Sequence, residues 1–279
     1  MATSTLMPGL TVLENSEAQR IFAKARQCES DGDFAAAQNF YEQVVEAEPT
    51  FIYAWANLAN VLVSEGNLEQ ALLCYKKAVS LSPPRDQLGL IVLNRASVEM
   101  SLNMNDAAIK DLSAAERLSG PTPEIITTKA VALTNQGDWA TAVGLFEKII
   151  STSDRDALPW WLRYSESLLE TSRGMEAVAF LQRTLNRFPY EDDCKGFAVA
   201  LYSSLGSKIE AQRYWNQMDD ATRVKYSDPA FYTKTLRWGP KTIAGLTSFL
   251  SSKYAASAAK ASPALAATPG ADAVIATEN

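Results

Sequence analysis

The sequence predicts an all-α protein, a right-handed solenoid of about six helix pairs closed by a C-terminal capping helix. Three observations carry that expectation. Small and apolar residues recur along most of the chain with a period of 34 residues. A glycine followed by Asp or Asn returns near the middle of the period, at Gly32-Asp33, Gly66-Asn67 and Gly137-Asp138. Proline returns near its end, at Pro49, Pro83 and Pro189.

Residues 1–17 are small and polar and form a flexible N-terminal segment. They lack the apolar stretch of a secretory signal and have no arginine before Arg20. The repeats occupy 18–218. The first, 18–51, carries Ala25, Gly32, Ala37, Tyr41 and Pro49. The clearest, 52–85, carries Trp55, Leu58, Ala59, Leu62, Gly66, Ala71, Tyr75, Ala78 and Pro83. Asp86 to Leu88 then reads as an insertion, and 89–122 resumes with Ala96, Asn103, Ala108, Leu112 and Ala115. Residues 123–156 repeat the pattern with Ala130, Leu133, Gly137, Ala142 and Phe146. The last two copies keep Trp161, Leu168, Ala177, Leu181 and Pro189, then Tyr202, Gly206, Ala211 and Trp215.

The spacing has a physical basis. Each unit is a helix of about 12–14 residues, a tight turn and a second helix, and neither helix can bury its apolar stripe alone. Ala59 and Ala71 let the two helices approach, while Trp55 and Tyr75 fill the space beside them. Glycine ends the first helix in a left-handed turn, Asp or Asn caps the second, and proline stops it. Asn103 stands in for glycine because asparagine tolerates the left-handed region. Tyr75→Ala is expected to be severe and a change at Asn57 to cost little.

Beyond Met218 the period fails, and 219–254 reads as a C-terminal cap. Pro240 suits the first turn of a helix running to about Lys253, with Ile243, Leu246, Phe249 and Leu250 on one side. Covering the open end of the last repeat is one role for it. Docking a partner or a membrane surface through Arg237, Trp238 and Phe249 is the other. Residues 255–279 are Ala, Ser, Pro and Thr with few bulky apolar side chains, the composition of a flexible tail.

Composition narrows the function. Lys plus Arg number 26 against 32 for Asp plus Glu, a net charge of −6 without a basic block, which argues against nucleic-acid binding. No run reaches the ~18 apolar residues of a membrane span, so any membrane contact is peripheral and made through a partner complex. The chain has no histidine, the usual general base and metal ligand. Neither a phosphate loop, a zinc spacing nor a nucleophile elbow is present, so no enzyme activity, metal or cofactor is expected. The acid pairs Asp192-Asp193 and Asp219-Asp220 read as solvated turn residues. Cys28, Cys74 and Cys194 are odd in number and unpaired in pattern, which fits reduced, packed thiols in a reducing, cytosol-like compartment.

Function is then expected on the concave face lined by the first helix of each pair. The positions facing it hold Arg26 and Glu29, then Tyr53, Asn57, Asn60 and Ser64, then Leu90, Asn94, Ser97 and Met100. Glu124, Thr128 and Asn135 follow, and then Arg163, Glu166 and Glu170. Of these, Arg26, Tyr53, Asn57, Asn60, Asn94, Ser97, Thr128, Asn135 and Arg163 are the candidate partner-binding residues. Asparagine amides can both donate to and accept from an extended peptide.

The nine positions of 52–85 and their echoes resemble tetratricopeptide repeats over residues 18–218. That resemblance implies a non-enzymatic scaffold or assembly factor with a protein or peptide partner. The stretch from Leu93 to Glu116 is also similar to the middle repeat of co-chaperones that clamp the C-terminal carboxylate of heat-shock chaperones. That clamp requires cations which this sequence replaces by Ala56, Glu124 and Thr128, so chaperone clamping is not expected. The segment "DPAFYTKTLRWGPKTI" resembles the ends of tetratricopeptide proteins of chloroplasts. It implies the chloroplast stroma or thylakoid surface, with the cytoplasm as the alternative. It also implies a second function, a constitutive subunit of a photosynthetic membrane complex bound through its convex face and C-terminal helix.

Overall fold

Helix ends define the pairs. α1 (Ser16–Asp31) stops at Gly32, whose φ of +80° suits a residue without a Cβ. α2 (Phe34–Ala47) starts under Asp33, whose carboxylate accepts from the Ala36 N–H at 3.1 Å. The computed structural model describes residues 15–152 and 160–261. Most of the N-terminal segment and the tail from 262 to 279 therefore lie outside the described residues.

Five further pairs follow along the chain. They are α3 (Ile52–Ser64) with α4 (Leu68–Ser80), α5 (Arg85–Ser101) with α6 (Asn105–Ser119), and α7 (Pro123–Gln136) with α8 (Trp139–Thr152). Next come α9 (Trp161–Glu170) with α10 (Gly174–Arg187), and α11 (Asp192–Ser204) with α12 (Lys208–Gln217). No strand occurs among the described residues, and the all-α expectation holds.

The turns follow the sequence logic except that Ser172 stands in a glycine position and Asn67 makes no side-chain cap. Asn103 and Ser172 occupy the glycine position at φ of 62° and 66°. The expected insertion at Asp86 to Leu88 is no break between repeats, because Arg85 and these residues form an extra N-terminal turn of α5. Pro84, extended at φ −53° and ψ 150°, starts that helix.

The chain forms two compact units, Met1–Ser167 and Leu168–Asn279, with the boundary inside α9. In the first unit α2 packs on α3, α4 on α5, and α6 on α7, so each interior is shared between neighbouring pairs. Fully buried alanines, among them Ala25, Ala37, Ala59, Ala71 and Ala108, set the close helix spacing. Tyr41, Tyr75, Leu112 and Phe146 fill the space this leaves. Cys74 and Cys194 are buried, and burial pushes both thiols up to about 11, so they stay protonated near neutral pH.

One charged cluster interrupts this apolar layer. The Arg95 guanidinium of α5 donates twice to Asp111 of α6, at 2.6 and 2.9 Å. One turn away Glu99 is 5% exposed, with one carboxylate oxygen lacking a hydrogen-bond partner. Burial, and then the Asp111 charge, raise the Glu99 carboxyl, against the pull of Arg95 and Lys76. The folded protein therefore keeps a proton that the unfolded chain has already released. Stability falls as pH rises between the ordinary and the raised value. Glu99→Gln is expected to add about 1 kcal/mol at neutral pH and to flatten the pH dependence of urea unfolding above the ordinary carboxylate range.

In the second unit the chain continues past α12 with α13 (Asp220–Ser227), one π-helical turn (Phe231–Thr235) and α14 (Pro240–Ala261). α14 begins at Pro240 and runs eight residues beyond the expected stop at Lys253, into what reads as tail. It packs along α11, where a Cβ on Gly245 would lie 2.2 Å from the Ala200 carbonyl oxygen. Only a glycine permits that approach.

Candidate partner-binding face

The candidate residues of the first unit lie along α1, α3, α5, α7 and the start of α9, and most are already engaged in the fold. Buried tyrosine hydroxyls explain this, since a phenol without a partner is costly. Tyr41 donates to Glu29 at 2.7 Å and accepts from the Asn57 amide at 3.3 Å. Tyr75 donates to Asn60 Oδ1, which also accepts from the Asn94 amide at 3.3 Å. Burial drives both phenols well above the usual tyrosine range; Glu29 adds to the shift at Tyr41, while a hydrogen bond with Asn94 opposes it at Tyr75. Further along, the Asn135 amide donates to Asn105 at 3.4 Å. Arg163 donates to Asn135 and, at 2.8 Å, to Glu166. The result is a ladder of side-chain bonds that steps from pair to pair.

This corrects the sequence expectation for three residues. Asn57 is 0% exposed, and Asn60 and Tyr53 are buried, so none of them offers surface to a partner. Tyr53 lies edge-on to Phe51 at 5.5 Å, and Phe51 lies edge-on to Phe22 at 5.1 Å. Asn57→Ala, expected from sequence to cost little, should instead cost about 1–2 kcal/mol for the lost Tyr41 bond and the space vacated. Thermal unfolding of the variant checks this.

Arg26, Asn94, Ser97, Thr128, Asn135 and Arg163 are half-buried and remain partly reachable. The Ser97 and Thr128 hydroxyls donate back to their own helices, to Leu93 O at 3.2 Å and Glu124 O at 2.8 Å. They brace no neighbouring helix. Polar atoms buried without a partner gather on these same first helices: Arg26 Nε, Asn57 Oδ1, Asn60 Nδ2, Gln87 Oε1, Glu99 Oε2 and Ser165 Oγ.

The C-terminal candidates turn out to be packing residues. Trp238 is half-buried against Phe197, Tyr226 and Tyr232, with ring centres 6.0, 5.7 and 6.3 Å away. Phe249 is 7% exposed and tilts over Trp215 at 5.4 Å. Arg237, half-buried, adopts φ of 52°. Much of both rings is thus taken up by packing inside the second unit. The acid pairs are likewise structural. Asp192 meets Lys195 at 2.8 Å and Thr222 at 3.0 Å, Asp193 accepts from Tyr226 at 2.7 Å, and Asp219 caps α13.

Sequence reasoning missed a clasp between α9 and α14. Glu170 accepts from the Lys241 and Thr242 N–H groups at 3.1 and 3.0 Å and so caps the start of α14. The Lys241 ammonium returns the favour at the end of α9, donating to Glu170 O at 2.7 Å and Leu169 O at 3.3 Å. Gly239 lies so close to Glu170 that a Cβ would fall 2.5 Å from its carboxylate. The partners are about seventy residues apart in sequence, and no local pattern joins them.

The profile of the Tetratricopeptide repeat family matches residues 30–87. No curated protein sequence matches the chain. A tetratricopeptide repeat protein from Parabacteroides merdae ATCC 43184 is similar in structure, with a TM-score of 0.65 at 15% identity, over 88% of this chain and 97% of that one. So is YrrB, a TPR protein with an unusual peptide-binding site, with a TM-score of 0.55 at 19% identity, over 64% of this chain and 90% of that one. A chain of the APC/C hetero-tetramer Cut9-Hcn1 aligns with a TM-score of 0.60 at 17% identity, over 84% of this chain. This chain spans only 42% of that relative's length. The repeat is thus present by sequence over 30–87, and the likenesses extend its fold, that of a tetratricopeptide-repeat solenoid, over most of the chain.

Proposed function

We propose that the chain is a non-enzymatic scaffold or assembly factor that holds a segment of a protein partner against the first helices of its first unit. Arg26, Asn94, Ser97, Thr128 and Asn135 make the contact. The observation that carries this reading is the row of polar side chains on those helices that stay partly reachable, from Arg26 through Asn94, Ser97 and Thr128 to Asn135. Amide and hydroxyl groups can both donate and accept, and a peptide backbone laid along the face supplies both N–H and C=O groups. The similar fold of YrrB, described as having a peptide-binding site, supports it.

Ser97→Arg with Thr128→Arg tests the proposal. Neither hydroxyl braces another helix, so the melting temperature should stay within a few degrees. Partner recovery after proximity labelling of the intact protein should fall at least tenfold. Undiminished recovery from the double variant removes this face from the account.

A second reading rests on a different observation. Leu73, Met175 and Ile209, on the second helices α4, α10 and α12, are 64%, 79% and 80% exposed. Such residues suit permanent burial in a larger complex through the second helices of either unit. Under the resemblance of the C-terminal segment that complex is photosynthetic, at the stromal or thylakoid surface, and in the cytoplasm otherwise. No described helix is long and apolar enough to cross a membrane, so contact with one would be through that complex.

A further inference from the structure

The last first helix, α11, differs from its counterparts in what lies on it. Asp193, Phe197 and Ala200 occupy register positions that hold candidate binding residues in α3 and α5, and Gly196 and Ser204 lie on the same side. Each is contacted by the chain's own C-terminal segment, with Gly196, Phe197 and Ala200 buried and Asp193 and Ser204 still exposed. The Tyr226 hydroxyl bonds Asp193, and its ring lies where a Gly196 Cβ would fall, 2.2 Å away. Trp238 packs on Phe197 at 6.0 Å. Gly245 meets Ala200, and Ser204 donates to Lys241 O at 2.8 Å. Small residues recur at four-residue spacing on this side of α11: Gly196 makes room for the Tyr226 ring, and Ala200 and Ser204 for the start of α14.

The fit is incomplete at one end. Trp215, on which Phe249 and Lys253 pack, is 2% exposed, and its indole N–H is buried without an acceptor. The start of α14 is held by the charged Glu170 clasp together with the Ser204 bond and the buried Thr242 and Leu246.

We infer that this face of α11 is a helix-docking site which α14 occupies in cis, and which accepts a partner helix of the same chemistry in trans. Such a helix carries glycine or alanine at four-residue spacing, a free N-terminal turn to meet the Glu170 carboxylate, and a hydrogen-bond acceptor facing Trp215. α14 then governs access to the second unit. The inference does not depend on the binding face proposed for the first unit.

Gly245→Leu in the full-length chain tests it. The added side chain cannot fit beside the Ala200 carbonyl, so α14 should leave while α11 keeps its own sequence. A fluorescent peptide of residues 240–261 is expected to bind the variant at least tenfold more tightly than the unaltered chain. Adding Ala200→Leu should abolish that gain. Hydrogen exchange of residues 240–254 reports whether α14 has been released, and Glu170→Ala supplies a second release if the first variant does not fold. A freed α14 with no gain in peptide binding overturns the inference. So does an α14 whose amides in the Glu170→Ala chain exchange only on global unfolding, which would make it a fixed part of the core.

Discussion

Tyr75→Ala is expected to destabilise the first unit by about 3–5 kcal/mol, the cost of emptying an aromatic site in a packed interior. Tyr75 is 2% exposed and its hydroxyl donates to Asn60, which also holds Asn94 of the next pair. The substitution removes the ring between two pairs and cuts one rung of the ladder that joins them. Tyr75→Phe separates the two contributions. It keeps the ring and should cost only about 1 kcal/mol, because Asn60 Oδ1 retains the Asn94 donor. Urea unfolding followed by far-UV circular dichroism checks both variants. A Tyr75→Ala chain within 1 kcal/mol of the parent would mean that the interior is not shared between pairs.

Arg95→Met is the second large effect. Among the described residues Arg95 is the only cation hydrogen-bonded to Asp111, and it also offsets the raised carboxyl of Glu99. Removing one partner of a buried ion pair leaves an uncompensated charge, which costs about 3–5 kcal/mol when burial is complete. The Arg95 and Asp111 side chains retain 17% and 12% exposure, so about 3 kcal/mol is expected at neutral pH. The loss should shrink on acidification, as a proton on Glu99 removes one of the two stranded charges. Adding Glu99→Gln and Asp111→Asn should restore most of the stability. A deficit equally large at pH 4 and 7 would show that lost packing, not stranded charge, is the cause.

The helix pairs were legible because the repeat encodes them locally. Gly32 and Asp33 end one helix and start the next within two residues, and Ala37 and Tyr41 mark the buried side of the second. The direction in which Asn57, Asn60 and Asn94 face was legible too. Their depth was not, since it depends on how closely the following pair packs. A signal was nevertheless available. Tyr41 and Tyr75 sit at a buried repeat position and need hydrogen-bond partners, and the asparagines of adjoining first helices are the groups within reach.

The second unit was harder to read for a different reason. The Glu170 clasp joins residues remote in sequence, and α13 and the π turn follow no repeat. Gly196, Ala200 and Ser204 were the overlooked clue, because a row of small residues on a first helix provides room for another helix. The insertion before α5 was legible as extra residues but not as helix: it follows Pro84 and lengthens α5 by a turn.

The central claim is that the partner lies on the first helices of the first unit. A photo-crosslinking amino acid placed at Ser97 on α5, and separately at Leu73 on α4, tests it in the intact protein. Ser97 is half-buried on the proposed face, and Leu73 is 64% exposed on the other side of its pair. Crosslinks to the partner from position 97 and none from position 73 are the expected result. The reverse pattern would contradict the account and assign binding to the convex surface.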